Sequence, residues 1–212
     1  MGALVVAASA APALAVLAGP TIAERLQALD WGALGSSLSE FGYARTGPVL
    51  TPHECASLIA LYADERRFRS RVEMARHRFG VGDYKYFARP LPALVQELRV
   101  HAYSPLAAVA NRWADALGSP DRFPDHLQVA CFLSHPGLDY TGGEFLLVEQ
   151  RPRAQSVGHS ILAEQGELIF FTTRTRPVRG ARGTYPVNVR HGVSRVHSGS
   201  RYTLGVIFHD AL

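Results

Sequence analysis

Apolar residues recur at helical spacing in the first half of the chain and in short, strand-length runs in the second. Ile22, Leu26 and Leu29 line one side of a segment opened by Thr21, with Glu24 three residues on as its capping partner, which predicts a short helix over 21–29. Trp31 and Leu34 continue that packing stripe, and Phe41-Gly-Tyr-Ala44 reads as a first strand after a turn. Thr51-Pro-His-Glu54 is a second helix start, with proline in the first helical position and Cys55, Leu58, Ile59 and Tyr62 as the apolar stripe. His53 falls in its exposed first turn and is given no role. Pro90-Leu-Pro92 opens a helix through Leu94, Leu98 and Val100. Pro105 opens another through Leu106, Val109, Ala110 and Trp113, stopped by Gly118-Ser-Pro120.

From Leu127 the pattern changes. Residues 127–133, 144–148 and 167–171 are strand-length runs, with turns at Pro136-Gly137, at 139–143 and at Gly166. Residues 151–159 read as a polar connection and 174–183 as a basic loop. The last two strands run through Val187, Val189, Val193 and Val196, then from Tyr202 to Phe208, around a Ser198-Gly-Ser200 turn. Several short strands at regular turn spacing predict an all-β core, a sandwich or jelly roll, with flanking helices. The organisation that follows is a leader over 1–20, a helical support region with one short strand over 21–118, and a jelly-roll core over 119–212. The leader is rich in Ala, Val and Leu but carries no Lys or Arg, so it lacks the positive start of a secretory signal, and Pro12 breaks it as a membrane span.

The 212 residues suffice for one well-packed domain. Net charge is +4, from 22 Lys and Arg against 18 Asp and Glu, a mild excess that suits an anionic partner without naming it. Arginines crowd residues 66–78, next to Tyr84, Tyr86 and Phe87. That stretch reads as a solvated segment with Val72, Met74 and Phe79 packed inward, or as a basic groove where aromatics stack bases. Cys55 and Cys131 have no metal-ligand spacing and read as buried thiols in a reducing, cytoplasmic setting.

Candidate chemistry gathers near the end of the chain. His191 lies in the penultimate strand and Arg201 opens the last one, ten residues later. A hairpin can turn both into one cavity, where an imidazole is a neutral ligand for divalent iron and a guanidinium is a rigid fork for a carboxylate.

These residues, together with Thr141-Gly-Gly-Glu-Phe145, Glu149-Gln-Arg-Pro-Arg153, Arg190-His-Gly-Val-Ser-Arg195, Ile207-Phe-His-Asp210, Arg71-Val-Glu-Met-Ala-Arg-His-Arg-Phe-Gly80 and Tyr84-Lys-Tyr-Phe87, resemble bacterial iron(II)- and 2-oxoglutarate-dependent oxygenases of the prolyl-hydroxylase type. The resemblance runs from about Asp30 to the C-terminus. It implies a double-stranded β-helix, with His191 as the distal iron ligand and Arg201 as the anchor for the far carboxylate of 2-oxoglutarate. It also implies ascorbate as an accessory reductant, and oxidation of a substrate coupled to decarboxylation of 2-oxoglutarate to succinate. The prime substrate would be a protein side chain or small molecule, with an alkylated nucleic acid as the other class and no membrane partner.

One element of the family pattern is missing. Such oxygenases supply the first two iron ligands from His-x-Asp or His-x-Glu, and none of the nine histidines here is followed in that way. The family's long segment before the strand at Leu127 is replaced by Ser119-Pro-Asp-Arg-Phe-Pro-Asp-His126, as if about forty residues including early core strands had been deleted, which would open unpaired sheet edges. Asp125 and His126, or Asp121 with His126, are the candidate substitutes. Adjacent strand residues point to opposite faces, so Asp125 and His126 converge on one metal only from a loop. His197 reads as a turn residue and His209 as structural. The alternative function is a catalytically inactive relative, serving as a dicarboxylate-binding or scaffold domain.

Overall fold

The computed structural model describes residues 19–77, 81–120, 122 and 126–208. The expected leader lies almost wholly outside the described residues, and Phe79, Asp121, Asp125, His209 and Asp210 lie outside them too. The described residues form four α-helices in the first half of the chain: α1 (Ile22–Gln27), α2 (Trp31–Phe41), α3 (Pro52–Leu61) and α4 (Ala93–Leu117). Capping boxes open α1 and α3, where Thr21 and Thr51 each accept from a backbone N–H and exchange bonds with Glu24 and Glu54. Asp30 caps α2, which ends at Gly42 in the left-handed region (φ 79°), so the chain reverses straight into β1 (Tyr43–Pro48).

Pro105 does not divide α4. One 25-residue helix replaces the two expected, because Leu98, Ala102, Leu106, Val109, Ala110 and Trp113 form an unbroken buried stripe. That burial outweighs the roughly 3 kcal/mol that an interior proline costs.

The arginine-rich stretch forms a two-stranded ribbon, β2 (Phe68–Glu73) with β3 (Asp83–Phe87), and Val72 and Met74 are half-buried on it. The remaining strands are β4 (Leu127–Phe132), β5 (Tyr140–Gly142), β6 (Phe145–Gln150), β7 (Val157–Ile161), β8 (Glu167–Thr172), β9 (Thr175–Gly180), β10 (Gly183–Val193), β11 (Val196–Gly199) and β12 (Thr203–Ile207). They make two four-stranded antiparallel sheets, β1-β8-β4-β12 and β7-β6-β10-β9, with β11 and β5 as a short separate pair. Two expectations change here. The polar connection contains β7 and the basic loop contains β9. Both are edge strands of the second sheet, so half of each is wet and neither shows an apolar run.

The first sheet divides its side chains between two cores. Val129, Cys131, Leu168, Phe170, Leu204 and Val206 face the helices with Leu26, Leu38, Leu58 and Leu106. Ala130, Phe132, Ile169 and Phe171 face Phe145, Leu147, Ile161 and Val189 of the second sheet. Period-two alternation therefore assigns every neighbouring strand position to a known side. Cys55 and Cys131 are buried free thiols, and burial raises the Cys55 thiol to about 11.

Candidate functional site

His191 and Arg201 do not sit on one hairpin. β10 pairs with β6 and β9 in the second sheet, and β12 pairs with β4 in the first, so the chain crosses the sandwich between them by way of β11. Both side chains nevertheless face the space between the sheets. His191 has the same strand parity as the buried Val187 and Val189 and lies opposite Leu147. Arg201 has the parity of Thr203, which leaves Leu204 and Val206 to the helices.

The two groups are joined by aromatic rings. The His191 imidazole lies 4.9 Å from the Phe171 ring and stacks at 6.3 Å on Phe145. Phe145 meets Phe132 edge-on at 6.2 Å, and the Arg201 guanidinium sits 5.2 Å from the Phe132 centroid. One side of His191 stays open to solvent, as do the inward-facing Thr203 and Gly205 of β12. The inter-sheet cleft is therefore partly open to solvent at these positions. The rings around His191 strip water from part of it and lower its pKa, which favours the neutral imidazole.

Arg201 is more enclosed. Burial pulls its pKa down, and the Tyr140 hydroxyl works against that pull as its hydrogen-bond partner. Tyr140 is itself 2% exposed, and burial raises its pKa. The Arg201 Nε is buried with no hydrogen-bond partner, and among the described residues no carboxylate pairs with the guanidinium. A cation held in partly dry surroundings without an anion is costly. The glycine pair beside it serves close passage. A Cβ on Gly142 would fall 2.3 Å from the Arg195 carbonyl oxygen, and one on Gly143 would fall 2.8 Å from Arg201 Cδ. Tyr140 went unpredicted; its signal was its place directly before the Thr141-Gly-Gly motif.

The residues expected from sequence to ligate a metal are not brought together among the described residues. Among the described residues no group of three His, Cys, Asp or Glu could hold a metal ion. His126 directly precedes β4, where its carbonyl accepts from the Thr173 N–H at 2.8 Å, while Asp125 and Asp121 lie outside the described residues. Arg195 is exposed and Asn188 lies on the outward face of β10, away from the cleft. Another pair missed from sequence closes the far end of the sandwich. Glu149 is 3% exposed and binds Arg176 at 2.5 Å and Arg151 at 2.5 Å, and Arg176 also donates to the Ser39 carbonyl of α2 at 2.8 Å. Burial pushes the Glu149 carboxyl up, but the two guanidinium bonds outweigh it and its pKa is lowered.

Residues 82–128 and 126–211 match the model of the Oxygenase-NA family, described as an oxygenase catalysing oxidative methylation of damaged DNA. The chain belongs to this family. Two uncharacterised Mycobacterium tuberculosis proteins, from strains CDC 1551 and H37Rv, are each 38% identical over 167 residues, which cover 72% of those proteins and 59% of this chain. Because 59% of 212 residues is about 125, about 42 of the 167 aligned positions have no counterpart here. The fold is shared with a prolyl 4-hydroxylase from Phytophthora capsici, at 13% identity and TM-score 0.50, covering 89% of this chain and 65% of that one. A 2OG-Fe(II) oxygenase-family protein from Burkholderia pseudomallei is 16% identical with TM-score 0.43, covering 84% of this chain and 89% of its own. No helix among the described residues is long and apolar enough to cross a membrane.

Proposed function

We propose that this chain binds 2-oxoglutarate, or a close dicarboxylate, in the inter-sheet cleft, and that it is a family member whose iron site has lost the segment that supplied two ligands. The observation that carries the reading is the half-buried guanidinium of Arg201, whose Nε is buried without a hydrogen-bond partner and which has no carboxylate partner among the described residues. A carboxylate there gains a charge-assisted, bidentate contact and removes the penalty of the unpaired cation. Arg201 would grip the carboxylate from one side, with Tyr140 fixing the guanidinium and the Phe132 face keeping water away. The residues fit the acid. They do not fit a three-ligand iron site within the described residues, because His191 has aromatic rings rather than carboxylates around it.

Loss of an internal segment is supported by the two matched stretches meeting at residues 126–128 and by the shortfall of about 42 positions against the mycobacterial relatives. A second reading, turnover as an iron(II) and 2-oxoglutarate dioxygenase, is favoured by family membership and by the open, neutral imidazole of His191. In it the metal would supply oxygen activation, held by His191 with Asp125, His126 or Asp121.

Calorimetric titration of 2-oxoglutarate into chelator-treated protein tests the first reading. Saturable binding is expected, abolished in Arg201→Met. No binding to folded protein removes it. An anaerobic titration with iron(II) and 2-oxoglutarate separates the two readings. A saturable charge-transfer band, lost in His191→Ala, would establish an iron site and replace the first reading with the second.

A further inference from the structure

The arginines of this chain fall into two populations. In the N-terminal part most of the described ones are in ion pairs: Arg25 pairs with Glu54, Arg45 with Glu167, Arg66 and Arg67 share Asp64, Arg71 pairs with Asp83, Arg76 with Glu73 and Arg122 with Asp115. Residues 168–209 differ. They contain seven arginines and not one Asp or Glu. Of these, Arg176 and Arg201 point inward. Arg174, Arg179, Arg182, Arg190 and Arg195 are exposed, and among the described residues none has a carboxylate partner.

Strand register gathers several of them on one surface. Arg190 lies opposite Val148 and alternates with the inward Val189 and His191, so it points away from the sandwich, as do Asn188 and its partner Gln150. Arg179 lies opposite Thr184 on the same outward side of the neighbouring edge strand, with Arg182 in the β9–β10 turn. Where the chain crosses from β8 to β9, a 280 Å³ pocket is lined by Gln150, Thr173, Arg174, Asn188, Val189 and Arg190. It offers two guanidinium groups, two amides and a hydroxyl, with no carboxylate. That set suits an oxyanion, and the charge that continues from it along β9 and β10 suits a repeating one.

We propose that the outward face of β9 and β10 is a nucleic-acid backbone interface, with one phosphodiester seated in the pocket between Arg174 and Arg190. The family description, which names damaged DNA, agrees in partner class but assigns no surface. The arginine-rich ribbon β2–β3 is the weaker candidate, because four of its flanking or internal arginines are already in ion pairs, leaving Arg69 stacked at 5.6 Å on Tyr86. The proposal does not depend on Arg201 and is measured separately from it.

Fluorescence anisotropy with a labelled single-stranded 20-mer and its duplex, over a salt series, tests it. Affinity should fall linearly with salt on a log–log plot, as condensed counterions are released from each contacted phosphate. Arg174→Gln with Arg190→Gln should weaken binding about tenfold or more at low salt and reduce the slope by roughly one to two. Arg66→Gln with Arg76→Gln should change little, and 2-oxoglutarate binding should be unaltered in both double variants. Three outcomes overturn the proposal: no salt-dependent binding, equal losses in the two double variants, or tighter binding to vesicles of anionic lipid than to either oligonucleotide.

Discussion

The sheet β1-β8-β4-β12 is covered on both faces, by the helices on one side and by its partner sheet on the other, whereas β7-β6-β10-β9 is covered on one face only. The covered sheet has fully buried strands. All six residues of β8 are buried, as are five of the six in β4. The open sheet alternates, with Phe145, Leu147 and Glu149 inward on β6 and Leu146, Val148 and Gln150 outward. The difference shows where each task is carried. Stability is concentrated in the first sheet, which shares two apolar cores. The second sheet can place His191 inward and Arg190 outward on adjacent positions of one strand, because one of its faces carries no packing duty.

Truncating the covered sheet should do the most damage. Phe170 is fully buried and packs against Trp31 at 5.1 Å. Phe170→Ala is expected to cost about 4 kcal/mol through lost burial and the cavity it leaves. Urea unfolding measures this, and a cost near that of a surface substitution would mean that the helix-facing core is not what holds the sheet. Next in size is the buried charge that ties the open sheet to α2. Glu149→Gln leaves Arg176 buried without its anion, and about 3 kcal/mol should be lost. Because the Glu149 pKa is lowered in the folded state, its contribution is present above the ordinary carboxylate range and is lost as pH falls through the native value. The gap between wild type and Glu149→Gln should therefore close in acid. A gap independent of pH would sink the ion-pair account.

Arg201→Met should separate stability from binding. Replacing a half-buried cation that has no carboxylate partner among the described residues with an apolar side chain of similar length is expected to stabilise the unliganded protein by about 1 kcal/mol, while abolishing 2-oxoglutarate binding. Thermal melts with and without the acid check both halves, since ligand raises the melting temperature only where a site exists. A variant that melts lower without ligand would mean that the guanidinium is part of the packing rather than a socket.

How legible these features were follows from the same contrast. Both capping boxes, the left-handed stop at Gly118 and strands β4, β6 and β8 stood out, because local hydrogen-bond chemistry and apolar runs leave direct marks. The edge strands β7 and β9 did not, because an edge strand buries too little to need a pattern. Pro105 misled because a local breaker was weighed without the stripe on either side of it. Arg201 and His191 were legible as residues, but their placement was not: they come from opposite sheets and are linked through Phe145 and Phe132 rather than by one hairpin. The partner tyrosine and the Glu149–Arg176 pair lie far from their partners in sequence, and no local rule joins residues 61 or 27 positions apart.

The smallest effect probes the cleft itself. His191 has a lowered pKa because Phe145 and Phe171 strip water from one side of its ring. The unfolded chain then takes up the proton first, so this histidine favours the fold fully above its ordinary value, about 6.5. That contribution declines as pH drops towards the lowered native value and is constant below it. Other histidines titrate in the same range, so the informative quantity is the difference between wild type and His191→Leu, measured as urea midpoints in chelator between pH 7.5 and pH 5. Wild type should lose more stability over that interval than the variant. Identical slopes would mean that the imidazole is as well hydrated in the fold as out of it. The cleft would then be an open surface rather than a partly dry site, and the aromatic chain from His191 to Arg201 would not exclude water from a bound acid.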